Sequence, residues 1–344
     1  VPGAGDIVII GGNDSVYLNT NLTTPNADPR SCAILKIESG AALDVGFNPA
    51  SSFSLVLNHP NGNGNLRIAC DYDDLSTFQF PSGDYSEYNV SIGTTELYTT
   101  NPIAGTTYYL PNGITSYGNL ILSPLGGSNI IFPNNNLLIY GNLITRGQNA
   151  DSWFCPVWNV NYPTPPTARI AKTITVNGDL DIQGGGLVWY GGGAITQTLV
   201  VNGNVIVNNN SAIDNWDGSS ARMSIGGSLV NNTTGAAGGG IKTPRECDFR
   251  NIPLTFFGSN TSSVTNQRNN PITRFGNVTI NKGSSQADSL IIDIGGTLTT
   301  PTNNWLTLSN GTLVYRRTNP NSDFTISTTT PFVISETAGL YIDY

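Results

Sequence analysis

Two segments of similar sequence decide the fold, KTITVNGDLDIQ at Lys172–Gln183 and QTLVVNGNVIVN at Gln197–Asn208. Each segment has a central glycine, with apolar residues two and four positions before it and two and four positions after it. This period of two puts the four apolar side chains on one face of an extended chain. The two glycines are Gly178 and Gly203, 25 residues apart. A short unit that repeats at such a period and cannot bury its apolar face alone is typical of a stacked solenoid.

Seven segments between Tyr117 and Pro301 share a pattern of glycine, a small polar residue and then leucine or valine. Most of the intervals are close to two dozen residues, which suits a coil of three short strands and three turns. An interval of 37 residues predicts an inserted loop, and an interval of 49 residues predicts one further rung around Ile252–Gly258. We therefore expect the seven glycines to stack in one column: Gly118, Gly141, Gly178, Gly203, Gly227, Gly276 and Gly296.

These repeats predict an all-β fold, a right-handed parallel β-helix (β-solenoid) with about 20–25 residues per coil and loop insertions. The whole chain, residues 1–344, is predicted to be one elongated β-helix segment of a larger protein. Residues 1–116 are expected to form irregular N-terminal coils. Residues 117–344 are expected to form regular coils with an insertion loop at 151–170. Tandem β-sandwiches are the main competitor, but they would repeat near a hundred residues rather than near two dozen.

A small polar residue follows each of the seven glycines, and two interpretations of this column stay open. Stacked side chains could hydrogen-bond along the rod, as amide ladders do in stacked β-structure. Small polar residues also suit the turn after a glycine for purely local reasons. The residues concerned are Asn119, Asn142, Asp179, Asn204, Ser228, Asn277 and Thr297.

Composition and charge exclude some classes of function. Charged residues make up 11 % of the chain and the net charge is −8. Nucleic-acid binding requires clustered Lys and Arg, which this chain lacks, and no apolar run has the length of a membrane span. The cysteines have no CxxC spacing, which disfavours a metal site. Whether they form disulfides or lie in the core as thiols stays open; they are Cys32, Cys70, Cys155 and Cys247.

A parallel β-helix can carry a polysaccharide lyase or a glycoside hydrolase, and paired carboxylates would indicate such an active site. Glycoside hydrolysis usually needs two carboxylates that face each other across the sugar. Asp179 and Asp181 are candidates, but Asn204 and Ile206 stand at the equivalent positions one coil later. His59 is the single histidine and no G-x-S-x-G motif occurs, which argues against a serine-hydrolase triad. We predict no catalytic residue and no cofactor.

The acidic cluster Asp71, Asp73 and Asp74 is the one candidate for metal binding. Carboxylate oxygens can hold Ca²⁺, but the stretch lacks the DxDxDG loop pattern. We therefore interpret these residues as solvated turn carboxylates and predict no metal site.

The aromatic residues of the predicted insertion loop are candidates for contact with a carbohydrate or a partner protein. Exposed aromatic rings would suit stacking on sugars. The alternative is a loop that folds back and covers the rod with its rings buried. The candidates are Trp153, Phe154, Trp158 and Tyr162.

Several phrases of the chain carry a resemblance to a known group of proteins. GTTYYLPNGITSYGNLILSPLGGSNIIFPNNNLLIYGNL (Gly105–Leu143), PLTFFGSNTSSVTN (Pro253–Asn266), FGNVTINKGSS (Phe275–Ser285) and IGGTLTTPTNNWLTLSNGTLVY (Ile294–Tyr315) resemble the very large, repeat-rich surface adhesins of gliding, Bacteroidota-type bacteria. The resemblance implies a β-helical adhesin or matrix segment exported by type IX secretion. It implies a fold and a setting, and it carries over no functional residue.

We therefore expect a non-enzymatic structural and adhesive rod of a secreted bacterial cell-surface or filament protein, which mediates attachment or matrix contacts. The alternatives are a polysaccharide-active enzyme (lyase or hydrolase) and a carbohydrate-binding module on the same fold. Expected partners are other copies or flanking segments of the same surface protein, surface glycans and the secretion machinery. The expected location is extracellular, at the cell surface.

Two tripeptides are similar to the Asp-Ser/Thr-apolar O-glycosylation acceptors of those bacteria. They are Asp14-Ser15-Val16 and Asp288-Ser289-Leu290. Ser15 and Ser289 are accordingly the candidate glycosylation sites.

Overall fold

The computed structural model describes residues 6–17, 30–47, 55–57, 62–70, 77–81, 83–90, 93–100, 105–147, 152–156, 170–190, 193–216, 218, 220–234, 246–266, 272–316 and 325–343. These residues form an all-β parallel β-solenoid of about ten turns, which confirms the predicted fold class. Each regular coil contributes one strand to each of three columns, and neighbouring strands within a column are parallel.

Column 1 begins the coil. After the separate N-terminal pair β1 (Ile7–Ile10) and β4 (Ile34–Ile37), it consists of β10 (Ser116–Tyr117), β13 (Leu137–Ile139), β16 (Lys172–Val176), β19 (Gln197–Val201), β22 (Ala221–Ile225), β25 (Leu254–Gly258), β28 (Val278–Lys282) and the first half of β31 (Leu306–Arg316). The strand β25 supplies the additional rung that the sequence predicts near Ile252–Gly258.

Column 2 follows column 1 around the coil and is the longest of the three. It consists of β2 (Ser15–Tyr17), β5 (Ala42–Phe47), β7 (Asn65–Cys70), β8 (Thr94–Thr99), β11 (Asn119–Ser123), β14 (Leu143–Arg146), β17 (Leu180–Gly184), β20 (Val205–Asn209), β23 (Leu229–Thr233), β26 (Ser262–Asn266), β29 (Ser289–Asp293), the second half of β31 and β32 (Ala338–Asp343).

Column 3 closes the coil. A separate pair, β3 (Arg30–Cys32) with β6 (Leu55–Leu57), precedes β9 (Thr107–Tyr109), β12 (Asn129–Ile131), β15 (Trp153–Cys155), β18 (Gly186–Trp189), β21 (Ala212–Asn215), β24 (Cys247–Phe249), β27 (Ile272–Phe275) and β30 (Thr297–Thr299). A short helix, α1 (Ser86–Val90), lies in the N-terminal coils just before β8.

The core lies inside the three columns and follows the alternation of the strands. In β16 and β17 the inward side chains are Ile174, Val176, Leu180 and Ile182, which are at most 1 % exposed. Their outward neighbours are half-buried or polar. Complete burial of such a side chain stabilises a fold by about 1.5–3 kcal/mol. The predicted one-faced apolar pattern is therefore confirmed.

Five of the seven glycines stack at the corner between columns 1 and 2. The N–H groups of Gly141, Gly178, Gly203 and Gly227 each donate to the carbonyl of the preceding glycine of the column, at N···O distances of 2.7, 2.9, 3.0 and 2.9 Å. The column starts at Gly118. The predicted glycine column is confirmed for these five residues.

The polar residue after each of these glycines forms a second ladder. The side-chain oxygen of Asn119 accepts the backbone N–H of Asn142 at 2.9 Å, and Asn142 Oδ1 accepts the N–H of Asp179 at 2.8 Å. In the next two coils, Asp179 Oδ1 accepts the backbone N–H of Asn204 at 2.6 Å, and Asn204 Oδ1 accepts that of Ser228 at 2.9 Å. The hydrogen-bonding interpretation of this polar column is therefore confirmed for these five residues.

The prediction is wrong for Gly276 and Gly296, which lie outside the glycine column. Gly276 lies between β27 and β28, at the corner between columns 3 and 1, and donates to Phe249 O at 3.1 Å. Gly296 lies between β29 and β30, at the corner between columns 2 and 3. Asn277 and Thr297 are likewise displaced from the polar ladder. Gly276 and Gly296 also have a strand with apolar residues before them and another after them, so the local pattern does not tell their corners from that of columns 1 and 2.

The prediction of an insertion loop at 151–170 is wrong for the first residues of that range, which include a strand. Trp153–Cys155 is strand β15, which pairs with β12 and β18 inside column 3. The apolar residues of this stretch belong to the solenoid because their strand has a neighbour on each side. Residues 157–169 lie outside the described part of the chain.

Three of the four cysteines belong to the buried part of the solenoid. Cys155 and Cys247 are free thiols with no exposed surface, and Cys70 is also buried. Burial raises the pKa of the Cys155 and Cys247 thiols above the ordinary range. Both therefore serve as small apolar residues of the fold, one of the two alternatives that the sequence leaves open.

Gly203→Ala should destabilise the fold by about 1–3 kcal/mol, because a Cβ there would lie 2.3 Å from Asp179 Oδ1 and 2.6 Å from Gly178 O. Gly113→Ala is the matched control, because a Cβ at Gly113 meets no atom within 4 Å. Urea unfolding of the two variants checks this. Equal stability of the two variants would contradict the proposed close packing of the glycine column.

Candidate functional site

The predicted aromatic contact residues lie in three different situations. Phe154 has no exposed surface and belongs to the core, so its predicted contact with a glycan or a partner is wrong. Trp153 is 7 % exposed and lies on the outer side of β15. Trp158 and Tyr162 lie outside the described residues.

Trp153 is the centre of an aromatic cluster on the outer face of column 3. Its ring centroid lies 5.8 Å from that of Tyr190 and 5.8 Å from that of Trp216. Ile131 and Val188 pack beside it. Trp216 is the exposed member of the cluster, at 46 %. The part of this surface that a ligand can reach is therefore Trp216 rather than Trp153.

The predicted acidic candidates do not form a described metal or catalytic centre. Asp71, Asp73 and Asp74 lie outside the described residues. Within the described ranges, no group of three or more His, Cys, Asp or Glu side chains could hold a metal ion. Asp179 belongs to the polar ladder, while Asp181 accepts hydrogen bonds from Gln183 and Asn208 at 2.7 and 2.8 Å.

The two candidate glycosylation serines differ in accessibility. Ser15 is exposed on β2, the first strand of column 2. Ser289 is half-buried at the start of β29, where its hydroxyl lies 3.2 Å from that of Thr261. Glycosylation of either residue stays a prediction.

A charged network that the sequence analysis missed covers column 2 in the N-terminal coils. Arg67 on β7 lies between Asp44 on β5 and Glu96 on β8, with N···O distances of 2.7 and 2.8 Å. Tyr98 donates its hydroxyl to Asp44 at 2.8 Å, and its ring lies 4.7 Å from the Arg67 guanidinium carbon. The arginine fills the space between the two carboxylates. The arrangement therefore neutralises buried charge rather than leaving room for a sugar and a water molecule.

Lys172 is a buried cation at the start of β16. Its ammonium donates to the carbonyl oxygens of Phe132, at 3.3 Å, and of Pro133. Burial lowers the pKa of Lys172 to about 7. The nearby Cys155 thiol does not balance its charge near neutral pH, because burial raises the pKa of that thiol.

The described surface contains an open groove of about 710 Å³ at the corner between columns 3 and 1. It crosses four successive coils, so it runs along the rod. The small residues Gly193, Ala194, Gly218 and Ala221 line part of the groove. The polar and bulky residues that line it are Ser220, Arg222, Arg250, Asn251, Pro253 and Asn277.

The cations of this groove are exposed, whereas the neighbouring carboxylates are buried. Arg222 is exposed on the outer side of β22 and forms no ion pair among the described residues. Arg250 is 55 % exposed and holds Asp248, whose side chain is 5 % exposed, through contacts of 2.5–3.1 Å. Glu246 is also buried, in an ion pair with Arg274 at 2.7 Å. A ligand in the groove would therefore meet guanidinium groups first.

No local sequence signal marks the groove, because its lining comes from corners that are far apart in the chain. Arg222 and Arg250 stand at different positions of their coils, so neither belongs to a repeated pattern. Only knowledge of which residues occupy the same corner could have brought them together.

Comparisons with protein-family models, with curated proteins and with solved structures find no match. In the described part of the chain, no helix has both the length and the apolar character needed to cross a membrane.

Lys172→Met should change how stability depends on pH. Between about pH 7 and pH 10.5 the unfolded chain holds the Lys172 proton and the folded chain does not, so the unfolding free energy rises with pH. Relative to that of the variant, the unfolding free energy of the wild type should rise by on the order of 1 kcal/mol per pH unit in this window.

Urea unfolding at pH 7, 8 and 9 measures this gain. Lys36→Met is the control, because the Lys36 side chain is 46 % exposed. A constant difference between the wild type and Lys172→Met across the three pH values would contradict the lowered pKa of Lys172 in the folded chain.

Proposed function

We propose that this chain is a non-enzymatic structural and adhesive rod of a secreted bacterial cell-surface or filament protein, and that it mediates attachment or matrix contacts. The observation that carries the proposal is the run of parallel strands in column 2, from β2 to β32, in which each coil is hydrogen-bonded to the next. Force along such a rod is shared among many backbone hydrogen bonds. Extension by stacking is what a spacer or fibre requires.

Exposed apolar side chains support the proposed contacts with other copies or flanking segments of the same surface protein. They concentrate in the first and last described coils: Ile7, Ile9, Val16 and Tyr17 at one end, and Val333, Ile334, Tyr341 and Ile342 at the other. Clustered exposed apolar side chains of this kind are typical of surfaces that contact other protein. The same proposal places the protein outside the cell, with export by type IX secretion and surface glycans among its partners.

The polysaccharide-active enzyme is the second candidate, and the network around Arg67 is the observation that bears on it. Asp44 and Glu96 are two strands apart, which at about 4.8 Å per strand gives a separation near that of the carboxylates of inverting glycosidases. Arg67 occupies the intervening space and is ion-paired to both carboxylates. We therefore favour the rod.

In-frame deletion of this segment in the source bacterium tests the proposal. Surface immunolabelling of the remaining protein should persist, and attachment to polysaccharide-coated surfaces should fall to the level of a strain that lacks the whole gene. Purified chain incubated with polysaccharides should release no shortened products. Unchanged attachment after deletion would overturn the adhesive role, and product release that is lost in Glu96→Gln would establish the enzyme instead.

A further inference from the structure

We propose that the groove at the corner between columns 3 and 1 binds an acidic oligosaccharide, one that carries carboxylate or sulfate groups. The proposal rests on the adhesive part of the proposed function and specifies its ligand. It also moves the expected glycan contact away from Trp153 and Phe154, which are buried.

The length and direction of the groove fit a linear chain. Its lining comes from four successive coils, which cover three strand spacings or about 14 Å along the rod. The groove is open rather than enclosed, so a polymer could enter it from the side and continue beyond it. A short stretch of a polysaccharide matches this shape better than a compact metabolite, which favours an enclosed cavity.

The charges of the groove select an acidic ligand. Arg222 is exposed and has no described carboxylate partner. Guanidinium groups bind carboxylate and sulfate-like oxygens through paired hydrogen bonds. Arg250 adds a second exposed guanidinium, and its carboxylate partner Asp248 is covered. The net charge of −8 over the whole chain disfavours nucleic acids, whose binding requires clustered Lys and Arg.

The other lining groups suit the neutral parts of a sugar. Asn251 and Asn277, which carry amide groups, line the groove, as does Ser220, whose hydroxyl lies 2.8 Å from that of Thr196. Such groups donate to and accept from ring hydroxyls. The exposed Trp216 precedes the lining residue Gly218 by two positions and packs against Trp153 on the adjoining outer face of column 3.

Calorimetric titration of the whole 344-residue chain tests this assignment. The probes are an oligogalacturonate, a neutral xylo-oligosaccharide of equal length and sodium sulfate. We expect binding of the oligogalacturonate, much weaker binding of sulfate and none of the neutral chain. Arg222→Gln should weaken oligogalacturonate binding at least about tenfold, because it removes a hydrogen-bonded charge pair.

Arg146→Gln is the matched control. It makes the same change in charge on the outer face of β14, in column 2, where Arg146 donates to Gln183 at 3.1 Å. Its affinity should equal that of the wild type. Asn277→Ala is the second test variant, because it changes the groove without changing charge and should also weaken binding. We avoid Arg250 as the primary variant, because its loss would leave Asp248 buried without its partner.

Three results would overturn the proposal: equal affinities of wild type and Arg222→Gln, equal binding of the acidic and neutral chains, or sulfate binding as tight as oligogalacturonate binding. The outcome is separable from that of the rod. If attachment depends on the segment but the purified chain binds no glycan, the proposed glycan site is wrong and the proposed rod function is retained. If glycan binding depends on Arg222 but the deletion does not change attachment, the glycan site is retained and the adhesive function is wrong.

Discussion

The stacking of this solenoid depends on one repeated contact at the corner between columns 1 and 2. The side-chain oxygen of Asn142 accepts the N–H of Asp179, and it lies 2.2 Å from where a Cβ of Gly178 would be. The glycine and the polar residue therefore act as one unit, because the side chain of one coil occupies the space that the glycine of the next coil leaves empty. A backbone N–H of the corner thereby obtains an acceptor within the protein, and each coil gains one more hydrogen bond to the next.

The sequence predicts much of this arrangement, because each part of it is local. The segments around Gly178 and Gly203 contain the strand alternation, the corner and the ladder residue within a dozen positions, so one rung specifies its own geometry. The error at Gly276 and Gly296 has a physical origin. Every corner of a three-sided coil has an apolar strand before it and another after it, so the local pattern gives the corner without its identity. Which corner a glycine occupies is determined by the pairing of strands between coils, and this pairing joins residues that are far apart in the chain.

The candidate groove shows the opposite case. Arg222, Arg250 and Asn277 come from three coils, and nothing in the sequence near each residue marks it as part of a shared surface. The aromatic residues misled for a related reason: proline and tryptophan in one stretch favour a loop, but Trp153–Cys155 meets β12 and β18 and joins the sheet. The solenoid thus separates two kinds of residue. Inward and corner residues repeat because they stack, whereas residues that could recognise a ligand vary from coil to coil.

A double-mutant cycle of Asn142→Ala and Gly178→Ala tests the central claim most directly. If the Asn142 side chain occupies the space beside Gly178, removing it relieves the closest contact of the new methyl group and leaves only the contacts with the Gly141 backbone. The double variant should then be more stable than the sum of the single effects predicts, with a coupling of about 0.5–3 kcal/mol in urea unfolding. Additive effects would show that the glycine and the amide act independently, and would contradict this account of how the coils stack.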